Sequence, residues 1–123
     1  MATWQQMALD CLLAAQDLLG KGRHRSAIAR AYYAAYCAVA STQNPRRTYR
    51  LQRQNPSHEE LADLINSYGK LPKAERIEIR KSLTVLQIWR VDADYRPVAS
   101  VEKQESHTAV IHARSVLVRL GII

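Results

Sequence analysis

One segment of this chain, residues 24–41, is apolar on nearly every side of a helix. One side carries Ile28, Ala31, Tyr32, Ala35, Tyr36 and Val39. A second side carries the small residues Ala27, Ala34 and Ala38. A helix with so little polar surface must contact neighbouring helices on two faces, and its alanines let another helix approach closely. The pattern therefore predicts a central helix in a helical bundle.

Four further segments show the period of roughly 3.6 residues that is typical of amphipathic helices. They lie near residues 3–19, 57–68, 72–95 and 101–120. Gly20 is expected to end the segment near 3–19. Ser57 forms a capping box with Glu60 at the start of the short segment near 57–68. Pro72 suits the first turn of the next, and Ser100 is the expected cap of the last. The sequence thus predicts an all-α fold, an antiparallel bundle of four main helices with one short extra helix.

Length and composition support one helical domain over residues 1–123. The chain has no Phe and only four Gly and four Pro, a composition that favours helices. No run approaches the roughly 18 consecutive apolar residues of a membrane span, and the first residues do not resemble a signal peptide. We therefore expect a cytoplasmic protein. Cys11 and Cys37 lie within helical patterns, which predicts free buried thiols rather than a disulfide.

The chain is basic, with 18 Lys and Arg against 11 Asp and Glu and a formal charge of +7. Such an excess on a small protein favours a polyanionic partner such as nucleic acid. Part of it is concentrated between Asn44 and Pro56, in a segment with loop composition that also contains Tyr49. The basic residues there are Arg46, Arg47, Arg50 and Arg53. They are candidate RNA or DNA contacts, and solvated loop arginines are the alternative.

A charge interrupts the apolar stripe of the helix predicted over 72–95. The stripe has i, i+4, i+7, i+11 spacing and consists of Ile79, Leu83, Leu86 and Arg90. A buried guanidinium without a partner would cost several kcal/mol, so an acid, a bound anion or a partner chain is expected beside it. Asp94 is the nearest acid, although Pro97 places it near the helix C-terminus, where a carboxylate opposes the helix dipole. This pair indicates a functional site, with a structural ion pair as the alternative.

Four landmarks, in this order along the chain, resemble the HEPN domain family. They are Ala-Arg-Ala-Tyr-Tyr-Ala-Ala-Tyr within residues 25–41, Ser-His-Glu-Glu-Leu from Ser57, Tyr-Gly-Lys-Leu-Pro from Tyr68, and Arg-Val-Asp-Ala-Asp-Tyr from Arg90. The chain is most similar to the prokaryotic branch that has a Tyr-Tyr-Ala second helix and an Arg-x-x-Ala-Asp-Tyr-like motif. The resemblance implies an all-α bundle that is usually a homodimer. It also implies a metal-independent ribonuclease, a toxin component paired with a minimal nucleotidyltransferase, or a non-catalytic nucleotide- or RNA-binding protein.

Ribonucleases of this family carry an Arg followed four to six residues later by His. Here the Arg corresponds to Arg90, but the window after it holds Tyr-Arg-Pro, and Val91 stands where a polar residue is frequent. A phenol, with a reference pKa of about 10, is a poor general base compared with imidazole. The resemblance therefore favours a nucleotide- or RNA-binding protein that works with a minimal nucleotidyltransferase in a toxin–antitoxin or defence-type module. The alternative is a metal-independent ribonuclease toxin in which Arg90 acts with Asp94 or Tyr95.

Two further residues of the second helix are candidate ligand contacts. Arg30 and Tyr33 share the face that the main apolar stripe leaves over, so both are candidates for nucleotide or RNA binding. The alternative for Arg30 is an internal clamp with Asp92 or Asp94 of a neighbouring helix.

The same helix also suggests how two copies of the chain would associate. A bundle this small has a limited interior, so we expect a homodimer that buries part of the helix surface bearing the alanines and tyrosines. Tyr32 and Tyr36 are expected to pack in the core or in this dimer interface.

Other chemistry has little support in the sequence. His107 and His112 are five residues apart and do not share a helix face, and the remaining histidines lie in other segments. No glycine-rich phosphate loop, zinc cysteine cluster or serine-centred triad is present. We therefore expect no metal and no cofactor.

Overall fold

The chain forms a bundle of five α-helices. The computed structural model describes residues 2–43, 55–99 and 101–123. Its helices are α1 (Trp4–Gly20), α2 (His24–Ala40), α3 (His58–Asn66), α4 (Lys73–Tyr95) and α5 (Lys103–Arg119). These described residues contain no strand, so the predicted all-α fold with four main helices and one short helix is confirmed. In this part of the chain, no helix is both long enough and apolar enough to cross a membrane.

Capping boxes set the starts of α1 and α3. Thr3 and Gln6 form one at α1, and Ser57 and Glu60 form the one that the sequence predicts at α3. In each box, a side-chain oxygen accepts a hydrogen bond from a first-turn backbone N–H that has no partner within the helix. The short helix α3 therefore has a defined start, which determines where its first residue, His58, is placed.

Two other helix starts differ from the prediction. Pro72 is the residue before α4 rather than part of its first turn. α5 begins at Lys103 instead of residue 101, because the backbone N–H of Glu102 donates to the carboxylate of Glu105 at the start of the helix. The cap predicted at Ser100 lies outside the described residues.

Helix α2 lies at the centre of the bundle. It packs against each of the other four helices, and no other helix of the described ranges does so. Its fully enclosed residues are Ala27, Ile28, Ala31, Ala34, Ala35, Ala38, Val39 and Ala40. The most extensive contacts are those with α1 and α5, where the small side chains permit close approach. The prediction that this helix packs on two faces is confirmed.

The burial of these alanines corrects one detail of the predicted dimer. The alanine surface of α2 is covered within the chain itself, so it is not available to a second copy. Near the end of α4, other large apolar side chains remain exposed, among them Tyr33, Tyr95 and Val98. A dimer interface would have to use side chains of this kind instead, and the alanine part of the prediction is wrong.

Candidate functional site

A cleft opens on one side of α2, between α1 and α4. In the described ranges α1 and α4 do not pack directly against each other, although both pack against α2. The cleft has a volume of about 420 Å³, which lies within the range of roughly 300–1,000 Å³ occupied by small-molecule sites. We call it the Arg90 cleft. Its walls are formed by Trp4, Met7, Tyr32, Tyr33, Tyr36, Cys37, Asn55 and Arg90.

Arg90 supplies the positive charge of this cleft. Its side chain is only 17% exposed, and its Nε lies 3.8 Å from Oδ2 of Asp94. The predicted ion pair with Asp94 is therefore present, but the distance is too long for a hydrogen bond. Nε is shielded from solvent and has no hydrogen-bond partner in the described part of the chain. The guanidinium thus keeps a donor free for another acceptor.

Three tyrosine rings surround the guanidinium of Arg90. Its Cζ lies 5.2 Å from the ring centre of Tyr32, 5.7 Å from that of Tyr33 and 5.8 Å from that of Tyr95. All three distances are within the roughly 6 Å at which a cation gains from an aromatic face. The rings carry no net charge, so they hold the cation without neutralising it.

Helix α3 brings a histidine against one of these tyrosines. Nδ1 of His58 lies 3.3 Å from the hydroxyl oxygen of Tyr32. Burial raises the pKa of Tyr32 to about 12, against the opposing effect of Arg90. Burial also lowers the pKa of His58; the carboxylate of Glu59 opposes this decrease and Arg90 adds to it. Both side chains are therefore neutral at pH 7, and the charge of Arg90 acts on each.

Cys37, in the wall of the cleft, pairs with Cys11 of α1. Both are free thiols, as predicted, but only Cys37 is buried, and Cys11 is partly exposed. A hydrogen bond with Cys37 lowers the pKa of Cys11 to about 6; burial opposes the decrease and Arg30 adds to it. The same bond, together with burial, raises the pKa of Cys37. The hydrogen bond therefore favours a thiolate at Cys11 over one at Cys37.

A second arginine, Arg25 of α2, closes the end of α4 beside this cleft. Its two terminal nitrogens lie 2.7 to 3.1 Å from five backbone carbonyl oxygens, those of Asp92, Ala93, Arg96, Pro97 and Ala99. The last carbonyls of a helix have no partner within the helix. Here Arg25 of another helix donates to that of Ala93 and adds a second hydrogen bond to that of Asp92, which also accepts from the backbone N–H of Arg96. Arg25 therefore positions the turn that follows Asp94 and Tyr95.

The structure separates the candidates that the sequence grouped together. Tyr33 lies in the wall of the cleft, and Asp94 and Tyr95 border on Arg90. Arg30 instead lies beside Cys11 on α1.

The clamp predicted for Arg30 is absent from the described residues. Asp94 pairs with Arg90, and Asp92 pairs with Arg96 at 3.6 Å. Arg25 reaches the end of α4 in place of Arg30. The loop candidates lie outside the described residues, and these are Arg46, Arg47, Arg50 and Arg53.

Sequence reasoning missed several residues that form or support the cleft. Trp4 and Met7 complete the α1 wall, His58 contacts Tyr32, and Arg25 holds the end of α4. Of these residues, only Arg25 could be noticed from the local sequence, because a cation in the first turn of a helix is unfavourable beside the helix dipole. The others have no local signal, since their position depends on how α1 and α3 pack against α2.

The described residues contain no group of three or more His, Cys, Asp and Glu side chains that could hold a metal ion. Two histidines instead connect helices through serine hydroxyls. Nδ1 of His24 lies 2.9 Å from Oγ of Ser106, and Nδ1 of His112 lies 3.0 Å from Oγ of Ser82. What the cleft itself offers a ligand is a cation and aromatic rings.

One comparison with known proteins identifies the family of the chain. The sequence model of the HEPN domain family matches residues 1–122, so the chain belongs to the HEPN domain family. No curated protein and no solved structure matches the chain. The resemblance seen in the sequence is confirmed, and membership of this family supports a function related to nucleotides or RNA in general.

Proposed function

We propose that this HEPN-family protein binds nucleotides or RNA in the Arg90 cleft. The observation that carries the proposal is the incomplete pairing of Arg90, whose shielded Nε has no hydrogen-bond partner in the described part of the chain. A phosphate would accept from a guanidinium through two parallel hydrogen bonds. It would also compensate a charge that the 3.8 Å pair with Asp94 leaves partly unbalanced.

The aromatic walls suit the remaining parts of a nucleotide. Tyr33 is exposed at the cleft, and Trp4 packs edge-on against Tyr36 with ring centres 6.1 Å apart. A base stacked on an aromatic side chain gains about 1–3 kcal/mol, largely independent of sequence. Asn55 adds an amide that both donates and accepts hydrogen bonds. The proposed pose therefore has a phosphate at Arg90 and a base on an exposed ring.

We also propose a setting for this binding, which the family resemblance supports. The protein works as a cytoplasmic homodimer beside a minimal nucleotidyltransferase, in a toxin–antitoxin or defence-type module. Exposed apolar side chains near the end of α4, Tyr95 and Val98, support a second copy as a partner there. Light scattering at roughly tens of micromolar, a concentration above ordinary dimer dissociation constants, should give twice the mass of one chain. A monomer at that concentration would contradict the dimer.

The four loop arginines extend the same proposal to longer RNA. If Arg46, Arg47, Arg50 and Arg53 contact phosphates, changing them together to alanine should weaken RNA binding by a similar factor for every sequence. The affinity of the variant should also depend less steeply on salt. Unchanged affinity at low salt would leave these side chains as a solvated surface.

A titration with two probes tests the cleft. Adenosine 5′-monophosphate and an oligoadenylate RNA of about six nucleotides, within the usual site size of single-strand binders, should both bind the wild type. Arg90→Leu should weaken both by roughly 30-fold or more, about the 2 kcal/mol that a charge-assisted contact contributes. Arg90→Lys should recover part of the lost affinity, because lysine keeps the charge but cannot donate two parallel hydrogen bonds to a phosphate. Arg114→Leu, a change at an exposed arginine of α5 outside the cleft, should bind like the wild type.

Cleavage of RNA is the second candidate function, and the contact between Tyr32 and His58 favours it. In this reaction the 2′-hydroxyl gives its proton to the Tyr32 oxygen, while the phenolic proton of Tyr32 passes to Nδ1 of His58. The 2′-oxygen bonds to the adjacent phosphorus and the bond from phosphorus to the 5′-oxygen breaks. The imidazolium of His58 returns its proton, through solvent, to the leaving 5′-oxygen. Arg90 stabilises the charge that develops on the phosphate, and the products are a 2′,3′-cyclic phosphate and a 5′-hydroxyl.

This candidate differs from the sequence-based alternative in the residue that takes the proton. RNA incubated with the protein and EDTA should yield cyclic-phosphate ends, and both His58→Asn and Arg90→Leu should abolish them. Tyr95→Phe should cleave normally, since Tyr95 has no part in the proton transfer. Cleavage that survives His58→Asn but not Tyr95→Phe would favour the alternative with Tyr95. Binding without any cleavage by the wild type would leave only the binding function.

A further inference from the structure

The N-terminal half of α4 carries a second concentration of positive charge, away from the Arg90 cleft. Two hollows of about 170 and 480 Å³ adjoin there, and Arg80 lines both. We call this surface the α4 basic groove. The lining residues that bear on its chemistry are Asn66, Lys73, Arg76, Ile77, Arg80 and Lys81. At about 1.5 Å of rise per residue, Arg76 lies roughly 20 Å along the helix axis from Arg90.

The acids near the groove are occupied by other partners. Glu75 pairs with Arg119 of α5, and Glu78 pairs with Lys81 at 3.5 Å. No ion pair within the described ranges involves Lys73 or the two groove arginines. Lys81 is thus partly neutralised by Glu78, whereas the charges of Lys73, Arg76 and Arg80 have no ion-pair partner in the part of the chain that the structure describes.

Two guanidiniums converge on a single uncharged residue in the groove. Nη1 of Arg76 donates to the backbone carbonyl of Asn66, and Nη1 of Arg80 donates to its Oδ1 at 2.8 Å. Like charges held this close repel each other. Nε of Arg76 is also shielded from solvent and has no hydrogen-bond partner among the residues that the structure describes. An anion in the hollow would relieve the repulsion and accept the unused hydrogen bonds.

The groove and the Arg90 cleft lie on the same helix. Lys73 and Arg80 are seven residues apart and so share one side of α4, and Arg90 lies ten residues beyond Arg80. A single strand that binds at both places would therefore run along α4.

We propose that the α4 basic groove binds the phosphates of a single-stranded RNA whose end occupies the Arg90 cleft. This proposal rests on the proposed function and adds its substrate class, an RNA long enough to span roughly 20 Å along α4. The phosphates lie against Lys73, Arg76 and Arg80, and the apolar side chain of Ile77 provides a surface for a base or ribose. A mononucleotide occupies the cleft alone and does not reach the groove.

The test compares a short and a long probe on a charge-reduced variant. Lys73→Gln, Arg76→Gln and Arg80→Gln together should leave the affinity for adenosine 5′-monophosphate unchanged. For an oligoadenylate of about twelve nucleotides, the slope of log K against log salt should fall by roughly two, because each single-strand phosphate contact contributes about 0.7. A control with the same loss of charge elsewhere, Lys21→Gln, Lys103→Gln and Arg114→Gln, should change that slope by much less. A wild-type slope in the groove variant would overturn the proposal.

A second variant guards against loss of folding, because Arg76 and Arg80 also hold the end of α3. Lys73→Gln alone removes the one proposed phosphate contact that does not hold α3, and the slope should fall by about 0.7. If the wild type binds the mononucleotide and both variants bind the long RNA like the wild type, the groove proposal is wrong but the proposed function stands. If the wild type binds neither probe, the proposed function itself fails. Tight binding of polyglutamate in the groove, with no effect of either variant on RNA, would identify an acidic protein partner instead and overturn the RNA assignment.

Discussion

Arg25 and Arg90 are both partly buried arginines near the C-terminal end of α4, yet their surroundings are opposite in kind. The two terminal nitrogens of Arg25 donate to five backbone carbonyls at 2.7 to 3.1 Å. Arg90 has one carboxylate at 3.8 Å, three uncharged rings and a shielded Nε without a partner in the described part of the chain. Burial alone does not separate a structural arginine from a binding one. The number of acceptors that the chain itself supplies does.

The two arginines should contribute differently to the stability of the fold. Removing Arg25 takes a donor from five carbonyl oxygens, of which those of Ala93 and Ala99 are part-buried, and an enclosed acceptor that loses its partner is unfavourable. Removing Arg90 leaves only the carboxylate of Asp94, whose side chain is 33% exposed and can be hydrated. The first arginine should therefore stabilise the fold, whereas the second should act mainly on a ligand.

The largest expected effect is that of Arg25→Met on stability. The change removes the donors that hold the end of α4 while keeping much of the side-chain volume. We expect the free energy of unfolding, measured by urea denaturation, to fall by roughly 2–4 kcal/mol, the range for loss of a buried hydrogen-bond network. Arg23→Met, at the residue that precedes α2, is a matched control with the same change of charge. A loss below about 0.5 kcal/mol, the usual size of a surface substitution, would remove the basis of the comparison.

Arg90→Met is the counterpart of that variant and should have a much smaller effect on stability. Because it continues the apolar stripe of Ile79, Leu83 and Leu86, we expect the free energy of unfolding to change by less than about 1 kcal/mol, while binding of adenosine 5′-monophosphate is lost. Thermal melting and a ligand titration on the same sample measure both. A loss of about 3–5 kcal/mol, typical of breaking a fully buried ion pair, would make Arg90 a structural residue like Arg25.

The stability of the fold should depend on pH through His58, which lies near Arg90 beside Tyr32. Burial lowers the pKa of His58 in the folded protein below the ordinary value of 6.5. As the pH falls through that value, the unfolded chain therefore takes up the proton first, so stability should decrease. The groups that act on this imidazole are Tyr32, Glu59 and Arg90. His58→Asn should remove this part of the decrease, and equal pH profiles of the two proteins in urea melts would contradict the assignment.

The smallest expected effect concerns the thiol pair behind the cleft. Because the pKa of Cys11 is lowered to about 6, its alkylation by iodoacetamide should rise with pH and level off above that value. Cys37→Ala removes the hydrogen bond that causes most of the decrease, so the midpoint should move upward. Mass spectrometry of the labelled peptides measures both. A midpoint that does not move would mean that another group, such as Arg30, holds the thiolate.

Much of the fold could be predicted from the local pattern of the sequence. The apolar faces identified all five helices, and the capping box of Ser57 and Glu60 located the start of α3. The predicted start of α5 was two residues early, because the pair of Glu102 and Glu105 differs from the Ser or Thr capping box that a sequence pattern identifies. The all-round apolar character of α2 correctly indicated a central helix, since a helix without a polar face has to be covered.

The site could be predicted only in part, and the reason lies in which contacts are local. Arg90 and Asp94 are four residues apart on one helix, so their pairing follows from helix geometry alone. The sequence by itself therefore determined the helices, the interrupted stripe and this ion pair. Only the tertiary structure decided that Arg25 rather than Arg30 reaches the end of α4, and that His58 meets Tyr32. Those contacts join residues far apart in the chain, and their geometry depends on how whole helices pack, which no local periodicity specifies.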